Sequence, residues 1–120
     1  MPTSEKSKTY DLEERTFEVA RAARVFVKKL PKTAGNNEDG RQLIRASGSV
    51  GANYIETNEA LSKRDFVMRI KISRKEAKES QYWLRLLDLG DSEELKREQE
   101  ELIAEATELM NIFGAILRKS

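Results

Sequence analysis

The sequence predicts an all-α protein folded as an antiparallel up-down four-helix bundle, and three observations support this prediction. Charged residues make up 36% of the 120 residues and aromatic residues 7%, with only two prolines and six glycines, a composition typical of exposed helices. Apolar residues recur at spacings of three and four along four segments, which is the period of an amphipathic helix. The connections between these segments are short, and short connections place consecutive helices side by side in opposite directions.

The first helix is predicted over residues 11 to 30. Its apolar stripe consists of Leu12, Thr16, Val19, Ala20, Ala23, Phe26, Val27 and Leu30. Pro31 and the polar segment KTAGNNEDG are expected to end this helix and form a loop, because proline interrupts a helix and glycine and asparagine favour turns. The polar residues 1–9 predict a disordered N-terminal tail, which leaves residues 10–120 as a single bundle domain.

The second helix is predicted to begin between Asp39 and Arg41 and to end near Ala60. Its inner stripe consists of Leu43, Ala46, Ser47, Val50, Asn53, Tyr54 and Thr57. Gly48 and Gly51 lie inside this helix, where a glycine costs about 1 kcal/mol relative to alanine. We interpret the two glycines as positions where the backbone of a neighbouring helix comes close.

The third helix is predicted to begin at Ser62, which forms a capping box with Asp65, and to run to Leu89. Gly90 is the expected C-terminal stop. The buried seam of this helix repeats every 3.5 residues, with small residues in the middle and bulky residues at both ends: Phe66, Ile70, Ser73, Ala77, Ser80, Leu84 and Leu87. The small centre predicts close packing against another helix, for which the glycine-bearing second helix is the expected neighbour.

The fourth helix, capped by Asp91 or Ser92, repeats this pattern with Leu95, Gln99, Leu102, Ala106, Leu109, Phe113 and Ile116. Residues 91–108 contain two Lys/Arg and eight Asp/Glu, whereas residues 62–85 contain eight Lys/Arg and three Asp/Glu. Oppositely charged helices pair within one subunit, pair between subunits or face separate partners. Pairing is the simpler interpretation of the third and fourth helices.

The sequence offers no residues for the common kinds of enzyme chemistry. Cysteine and histidine are absent, which excludes disulfides, thiolate and imidazole metal sites, and Ser-His or Cys-His nucleophiles. Glu76 and Glu79 share a helix face, but the di-metal motif of helical bundles also requires histidine. No Gly-rich phosphate loop and no nucleophile elbow occurs. We therefore expect a protein that is not an enzyme, with no cofactor and no small-molecule substrate.

The hydropathy pattern predicts no membrane partner. No apolar run approaches the roughly 18 to 20 residues of a membrane span. The start of the sequence, MPTSEKSKTY, is polar and lacks the apolar core of a signal peptide. We therefore expect a cytoplasmic protein.

Polar residues at core-like positions are the first set of candidate functional residues. They lie on the second and third helices and are Asn53, Glu56, Arg69, Glu76, Glu79 and Trp83. One interpretation is a set of interhelical hydrogen bonds that fixes the register of the bundle. The other is a contact surface for a neighbouring subunit or a ligand, with Trp83 as an aromatic anchor. For Trp83 taken alone, an ordinary core position is a third interpretation.

Basic residues on the third helix are the second candidate set. Lys71, Arg74, Lys75 and Lys78 share an outward arc at spacings of three and four. Contacts with phosphate groups require cations on one exposed surface, so this arc is a candidate RNA-binding surface. The net charge of +1 argues against strong nonspecific binding of nucleic acid, and a lysine-rich outer face is ordinary for an exposed helix. The alternative is a purely protein-directed scaffold whose basic face meets an acidic protein surface.

A small-residue pattern in the second helix is typical of a known family. The pattern AxxSVxAN followed by a carboxylate is matched by Ala46, Ser49, Val50, Ala52, Asn53 and Glu56. The match continues on the third helix with Ser62, Phe66, Glu76, Ala77, Glu79 and Trp83. On these motifs the chain resembles the bacterial 23S rRNA-intervening sequence proteins, from YDLEERTFEVA through the final helix. The motifs specify packing rather than chemistry.

The resemblance implies a homopentamer, a ring of five four-helix bundles around a central channel. It also implies kinship with the accessory bundle proteins of diversity-generating retroelements, which bind nucleic acid and a reverse transcriptase. From it we expect self-association and binding to RNA or to an RNA-associated protein. The chain departs from these relatives in two ways: its net charge is only +1, and Thr57 stands where many members have a glycine. A different loop and tilt at the end of the second helix are therefore expected.

Overall fold

The computed structural model describes residues 11–120, which form four α-helices: α1 Leu12–Lys28, α2 Ala34–Glu56, α3 Lys63–Leu86 and α4 Glu93–Lys119. A short 3₁₀ turn, Thr57–Glu59, follows α2. No strand occurs in this part of the chain, so the prediction of an all-α fold with four helices is confirmed. The predicted N-terminal tail, residues 1–9, lies outside the described residues.

Neighbouring helices contact one another in opposite sequence order. Between α2 and α3, Arg69 contacts Asn53, whereas Glu76, further along α3, contacts Arg45, which comes earlier in α2. The contacts of α4 with α1 and with α3 run the same way, as in Arg15–Glu105, Lys29–Glu98, Gln81–Thr107 and Leu84–Gln99. Each of α1 and α3 therefore lies beside both α2 and α4.

The core consists of one apolar stripe from each helix. Its largest fully buried apolar side chains are those of Phe26, Leu43, Val50, Ile70, Leu109 and Phe113. The predicted seam of α3 is buried at six of its seven positions, and Phe66 is half-buried. The Ser73 hydroxyl donates to the carbonyl of Val50 at 2.9 Å, and the Ser80 hydroxyl donates to the carbonyl of Glu76 at the same distance. The small polar residues of the seam are thus hydrogen-bonded although they are buried.

The N-terminal caps of α3 and α4 follow the sequence prediction. The Ser62 hydroxyl accepts a hydrogen bond from the N–H of Asp65 at 3.1 Å, and the Asp65 carboxylate accepts one from the N–H of Leu61 at 3.4 Å. For α4 the cap is Ser92, whose hydroxyl accepts from the N–H of Leu95. Each cap satisfies an N–H group that has no partner within its own helix.

The predicted loop before α2 is wrong, because α2 begins at Ala34, inside the segment expected to be irregular. The Thr33 hydroxyl caps the helix by accepting from the N–H of Asn36 at 3.0 Å. Gly40 lies against α1, where an added Cβ would be only 3.0 Å from the Cγ1 atom of Val27. Tertiary contacts thus stabilise a helical segment whose glycines and asparagines have low intrinsic helix propensity.

The predicted end of α3 at Leu89 is also wrong, because the helix ends at Leu86 and Leu87 is extended. The side-chain amide of Asn36 holds the chain at this point. Its Nδ2 atom donates to the carbonyl of Asp88 at 2.8 Å, and its Oδ1 atom accepts from the N–H of Asp88 at 2.9 Å. Gly90 is left-handed with φ 64°, but it lies in the turn after the helix rather than directly at its end. The second helix likewise ends at Glu56, before the predicted Ala60.

The two α2 glycines predicted to be close-approach sites differ sharply. A Cβ on Gly51 would lie 2.8 Å from the Oγ1 atom of Thr16, which hydrogen bonds to the carbonyls of Leu12 and Glu13 hold in place. A Cβ on Gly48 would meet only the tip of the Arg24 side chain, at 3.4 Å. Close backbone packing is therefore required at Gly51 and not at Gly48.

Gly51→Ala is expected to lower the free energy of unfolding by about 1–2 kcal/mol, because the overlap with Thr16 outweighs the gain in helix propensity. Gly48→Ala is the matched control in the same helix, and it is expected to raise the stability by up to about 1 kcal/mol. Urea unfolding followed by circular dichroism measures both variants. A Gly51→Ala protein as stable as the parent would contradict the close contact between α1 and α2.

The stability of the bundle is expected to fall at alkaline pH. Burial, and to a smaller extent the charge of Glu13, raises the pKa of Tyr54 above its ordinary value of 10.0. Below about pH 10 the tyrosine is neutral in both states, and above it the unfolded chain ionises first, so stability is lost as the pH rises. Tyr54→Phe should therefore lose less unfolding free energy than the parent between about pH 9 and about pH 11. Equal losses in urea titrations at the two pH values would contradict this.

Candidate functional site

A polar flank between α2 and α3 contains four of the six polar candidates: Asn53, Arg69, Glu76 and Glu79. At one end of it, Arg69 donates to the Oδ1 atom of Asn53 at 3.0 Å. The Nδ2 atom of Asn53 donates to the carbonyl and the hydroxyl of Ser49, at 2.9 and 3.0 Å. Both ends of the Asn53 amide are therefore engaged, and the amide ties α2 to α3 at this level.

Two turns further along, the two acidic candidates share one arginine. The Nη2 atom of Arg45 lies 3.5 Å from the Oε1 atom of Glu76 and 3.4 Å from that of Glu79. The Glu76 residue is only 6% exposed, and its Oε1 atom has no hydrogen-bond partner among residues 11–120. The 3.5 Å contact between Arg45 and Glu76 is therefore an ion pair rather than a hydrogen bond. Removal of Arg45 would leave this buried carboxylate without a cation among residues 11–120, which is strongly destabilising.

The two remaining polar candidates are placed differently. Trp83 is half-buried and packs against the core cluster of Phe26, Leu43 and Leu84. Tyr82 lies edge-on to its ring with the ring centroids 5.1 Å apart, and the buried Nε1 atom of Trp83 has no hydrogen-bond acceptor within the described residues. Glu56 is exposed at the last position of α2 and forms no ion pair with any of residues 11–120, so the structure does not join it to the flank.

The basic arc, defined as Lys71, Arg74, Lys75 and Lys78, is exposed at all four positions. Within residues 11–120 its only ion pair joins Lys75 to Glu79 at 3.9 Å, a separation at which an exposed pair contributes little. The four side chains line an open groove of about 530 Å³ together with Met110 and Leu117 of α4. The groove therefore has a cationic rim and an apolar floor.

Of the arrangements left open for the oppositely charged α3 and α4, ion pairing within one subunit is not observed. No ion pair joins these two helices in the part of the chain that the structure describes. The acidic side chains of α4 pair instead with α1: Arg15 with Glu105 and Glu108, and Lys29 with Glu94 and Glu98. The charge of α4 is thus partly neutralised from α1, and the basic arc of α3 keeps its positive charge.

Two further residues, Gly114 and Arg118, lie next to Arg74 of the groove but were not singled out from the sequence. A Cβ on the buried Gly114 would lie 3.5 Å from the Nη1 atom of Arg118 and 3.7 Å from the Cζ and Nε atoms of Arg74. Two guanidinium groups, from α3 and from the last turn of α4, therefore meet above one glycine. An isolated glycine inside an apolar helix pattern is the only signal in the sequence, and it does not reveal the neighbours.

An apolar groove lies on another side of the bundle, between α1 and α2. It has a volume of about 440 Å³, and its floor includes Gly48, Gly51 and Ala52. Phe17 and Ile55 line it and are 56% and 49% exposed, which is unusual for such large apolar side chains. The bundle therefore has an apolar surface in addition to the polar flank and the basic arc.

Metal binding and membrane insertion place strict requirements on the side chains and lengths of helices. Within residues 11–120, no three acidic side chains come close enough together to hold a metal ion. None of the helices in this range is long and apolar enough to cross a membrane.

Comparisons with known proteins identify a family and a similar solved structure. The family model described as 23S rRNA-intervening sequence protein matches residues 8–115. Among solved structures, the chain is similar to a protein of unknown function from the S23 ribosomal protein family of Bacteroides thetaiotaomicron. The two are 27% identical with a TM-score of 0.73, over 88% of this chain and 96% of the other. No curated protein is significantly similar to the chain.

Proposed function

The chain belongs to the family of 23S rRNA-intervening sequence proteins, and from this premise we propose that it is a non-enzymatic, oligomeric bundle that binds RNA. The family resemblance read from the sequence is thereby confirmed, whereas the activity, the assembly and the ligand are our proposal. In this proposal the bundle is antiparallel and up-down, as the opposite order of its interhelical contacts supports. The protein acts as a binding and assembly module.

The observation that carries RNA binding is the unneutralised basic arc of α3. Lys71, Arg74 and Lys78 have no ion pair among residues 11–120, while the acidic residues of α4 pair with α1. When exposed cations on one surface bind phosphate groups, they displace the counterions condensed on the nucleic-acid backbone. The release of these counterions favours binding of a polyanion. The local charge of this arc therefore matters more than the net charge of +1.

The proposed assembly is a homopentameric ring in which α2 and α3 supply much of the contact between subunits. The number five comes from the family resemblance, and the polar flank supports the position of the interface. The Arg45 side chain is 52% exposed and that of Glu79 38%, so a neighbour can still cover their ion pair. Covering it lowers the local dielectric constant and strengthens the attraction between the charges. Charges on α3 and α4 then help to orient one subunit against the next.

Native mass spectrometry of the purified protein, recorded before nuclease treatment, tests the proposal. A mass of five chains with additional nucleotide mass is expected. A mass of five chains without nucleotide would support the ring but contradict RNA binding. The mass of a monomer would mean that the polar flank only fixes the register of the bundle. Competition between a ribosomal RNA fragment and heparin then separates RNA recognition from simple polyanion binding, because an RNA-binding surface prefers the RNA at equal charge.

A purely protein-directed scaffold is the second candidate, and the apolar side chains beside the basic arc favour it. Met68, Tyr82 and Leu86 of α3 are 52%, 56% and 48% exposed. Apolar and aromatic side chains with cations around them are typical of protein interfaces. On this alternative the basic arc binds an acidic protein surface. In the competition experiment, heparin then displaces a bound RNA fragment as readily as competing RNA does.

A further inference from the structure

We propose that Arg74 and Arg118 form a phosphate-binding notch above Gly114, and that the notch holds one backbone phosphate of the RNA. The inference rests on the RNA-binding function proposed above and assigns one phosphate contact of that surface to named side chains. It adds Arg118, from α4, to a surface that the sequence placed on α3 alone. The ligand class is a phosphoryl anion, and its proposed source is the RNA backbone.

The geometry of the two arginines is the first support. Both guanidinium groups lie within 4 Å of the position that a Cβ of Gly114 would occupy. They are therefore only about 7 Å apart or less, although Arg74 and Arg118 belong to different helices. A phosphate that lies between two guanidinium groups can accept hydrogen bonds from both, because each presents a planar fork of N–H donors.

The charges around the notch are the second support. Neither Arg74 nor Arg118 pairs with a carboxylate among residues 11–120, so two like charges lie close together without a counterion from that part of the chain. Lys71 and Lys78 line the same groove and add further positive charge. An anion between the guanidinium groups replaces their repulsion with two attractions. The positive charge of Arg118 also interacts favourably with the negative C-terminal end of the α4 dipole. That interaction does not require Arg74 to be close.

The glycine is the third support. Gly114 lies inside α4, where glycine is less favourable than alanine, and its missing side chain leaves room for both arginines. A Cβ at this position would meet only the flexible ends of the arginine side chains, so the fold itself tolerates a larger residue. A longer side chain would occupy the notch. The geometry can therefore be blocked without a change of charge.

The first experiment uses inorganic pyrophosphate as the probe, with binding measured by isothermal titration calorimetry on the full chain. Arg74→Gln and Arg118→Gln are each expected to weaken binding about tenfold or more. Arg85→Gln removes an exposed cation elsewhere on α3 and is expected to leave the affinity unchanged. In the double variant the two losses should not add, because both arginines act on one anion. Absence of pyrophosphate binding, or equal losses in Arg85→Gln, would overturn the notch.

The second experiment tests the geometry at constant charge. Gly114→Gln is expected to weaken pyrophosphate binding about tenfold while the protein unfolds at the same or a higher urea concentration. Ala104→Gln, at an exposed position of the same helix, is the matched control and should bind like the parent. If Gly114→Gln binds pyrophosphate as the parent does, the guanidinium groups do not act from above the glycine, and the inference is rejected.

The third experiment repeats the series with a fluorescently labelled single-stranded oligoribonucleotide in an anisotropy titration. Parallel losses with pyrophosphate and with RNA in the arginine and glycine variants support the inference. If Arg118→Gln and Gly114→Gln leave the affinity for RNA unchanged, the notch is rejected and the proposed function is kept. Pyrophosphate binding without RNA binding rejects the proposed function and the RNA source, and reassigns the notch to a free phosphorylated ligand.

Discussion

Ala77→Trp is expected to abolish folding or assembly. Ala77 is 1% exposed and lies at the small centre of the α3 seam, in the core cluster that includes Val50, Ile70 and Phe113. An indole at this position must displace α2 or α4, and overpacking of a core costs about 3 kcal/mol or more when the backbone has to move. A domain of this size has only about 5–15 kcal/mol of stability, so a cost of this size removes a large part of it. Thermal unfolding and native mass measure the effect.

The control for this variant is Lys78→Trp, which puts the same side chain one position further along the helix. Lys78 is exposed, so its replacement is expected to change the melting temperature only slightly. The comparison separates the effect of the size of the indole from the effect of the α3 face on which it lies. If Ala77→Trp melts at the parent temperature and keeps the native mass of the parent, Ala77 does not pack in the seam and the assignment of the α3 faces is refuted.

Replacement of Arg74, Lys75 and Lys78 by glutamine is expected to abolish the retention of RNA while the bundle stays folded. All three side chains are exposed, so their loss exposes no core surface. If each contacts one phosphate, the slope of log affinity against log salt concentration falls by about two for single-stranded RNA. Anisotropy titrations at several salt concentrations measure both the affinity and the slope.

A variant with the same net charge provides the control for this loss. Glutamine in place of Lys32, Arg41 and Lys96 removes three exposed cations from other surfaces of the bundle. This control should bind RNA nearly as tightly as the parent. Unchanged RNA binding in the variant of the basic arc would remove the arc as the binding surface, and equal losses in the two triple variants would mean that only net charge matters.

The helix α3 has a packing role and a proposed binding role, because its two faces carry different kinds of side chain. One face carries the seam of small and large residues that packs between α2 and α4, and the opposite face carries the basic arc. The polar flank lies between these faces and contains Glu76 and Glu79. A substitution on one face therefore tests packing and a substitution on the other tests binding, with little overlap between the two effects.

Much of the fold could be predicted because its signals are local. The apolar stripes repeat within single helices, and six of the seven α3 seam positions predicted from the sequence are buried. The Ser62 and Ser92 caps each bond to an N–H group three residues away, so neighbouring sequence contains both partners. The exposure of the basic arc follows from the same periodicity, because Lys71 and Lys78 lie opposite the seam.

The candidate site could be predicted only in part. The tie between Asn53 and Arg69 joins two of the residues selected from the sequence, but the arginine that holds Glu76 and Glu79 was not among them. Glu56 is exposed and separate from them. A stripe pattern shows which side of a helix a residue occupies, but it does not show which side chain of another helix lies at the same level.

The number of helices, their buried faces and two of their caps follow from local sequence, because each depends on residues within about one turn of one another. The tertiary structure sets the start of α2 and the end of α3, since Asn36 in the first turn of α2 binds the backbone of Asp88, 52 residues away. It also decides which charges remain unneutralised, because Arg15 finds Glu105 at a separation of 90 residues. Hydrogen bonds and ion pairs between distant segments depend on positions in space that no local period specifies.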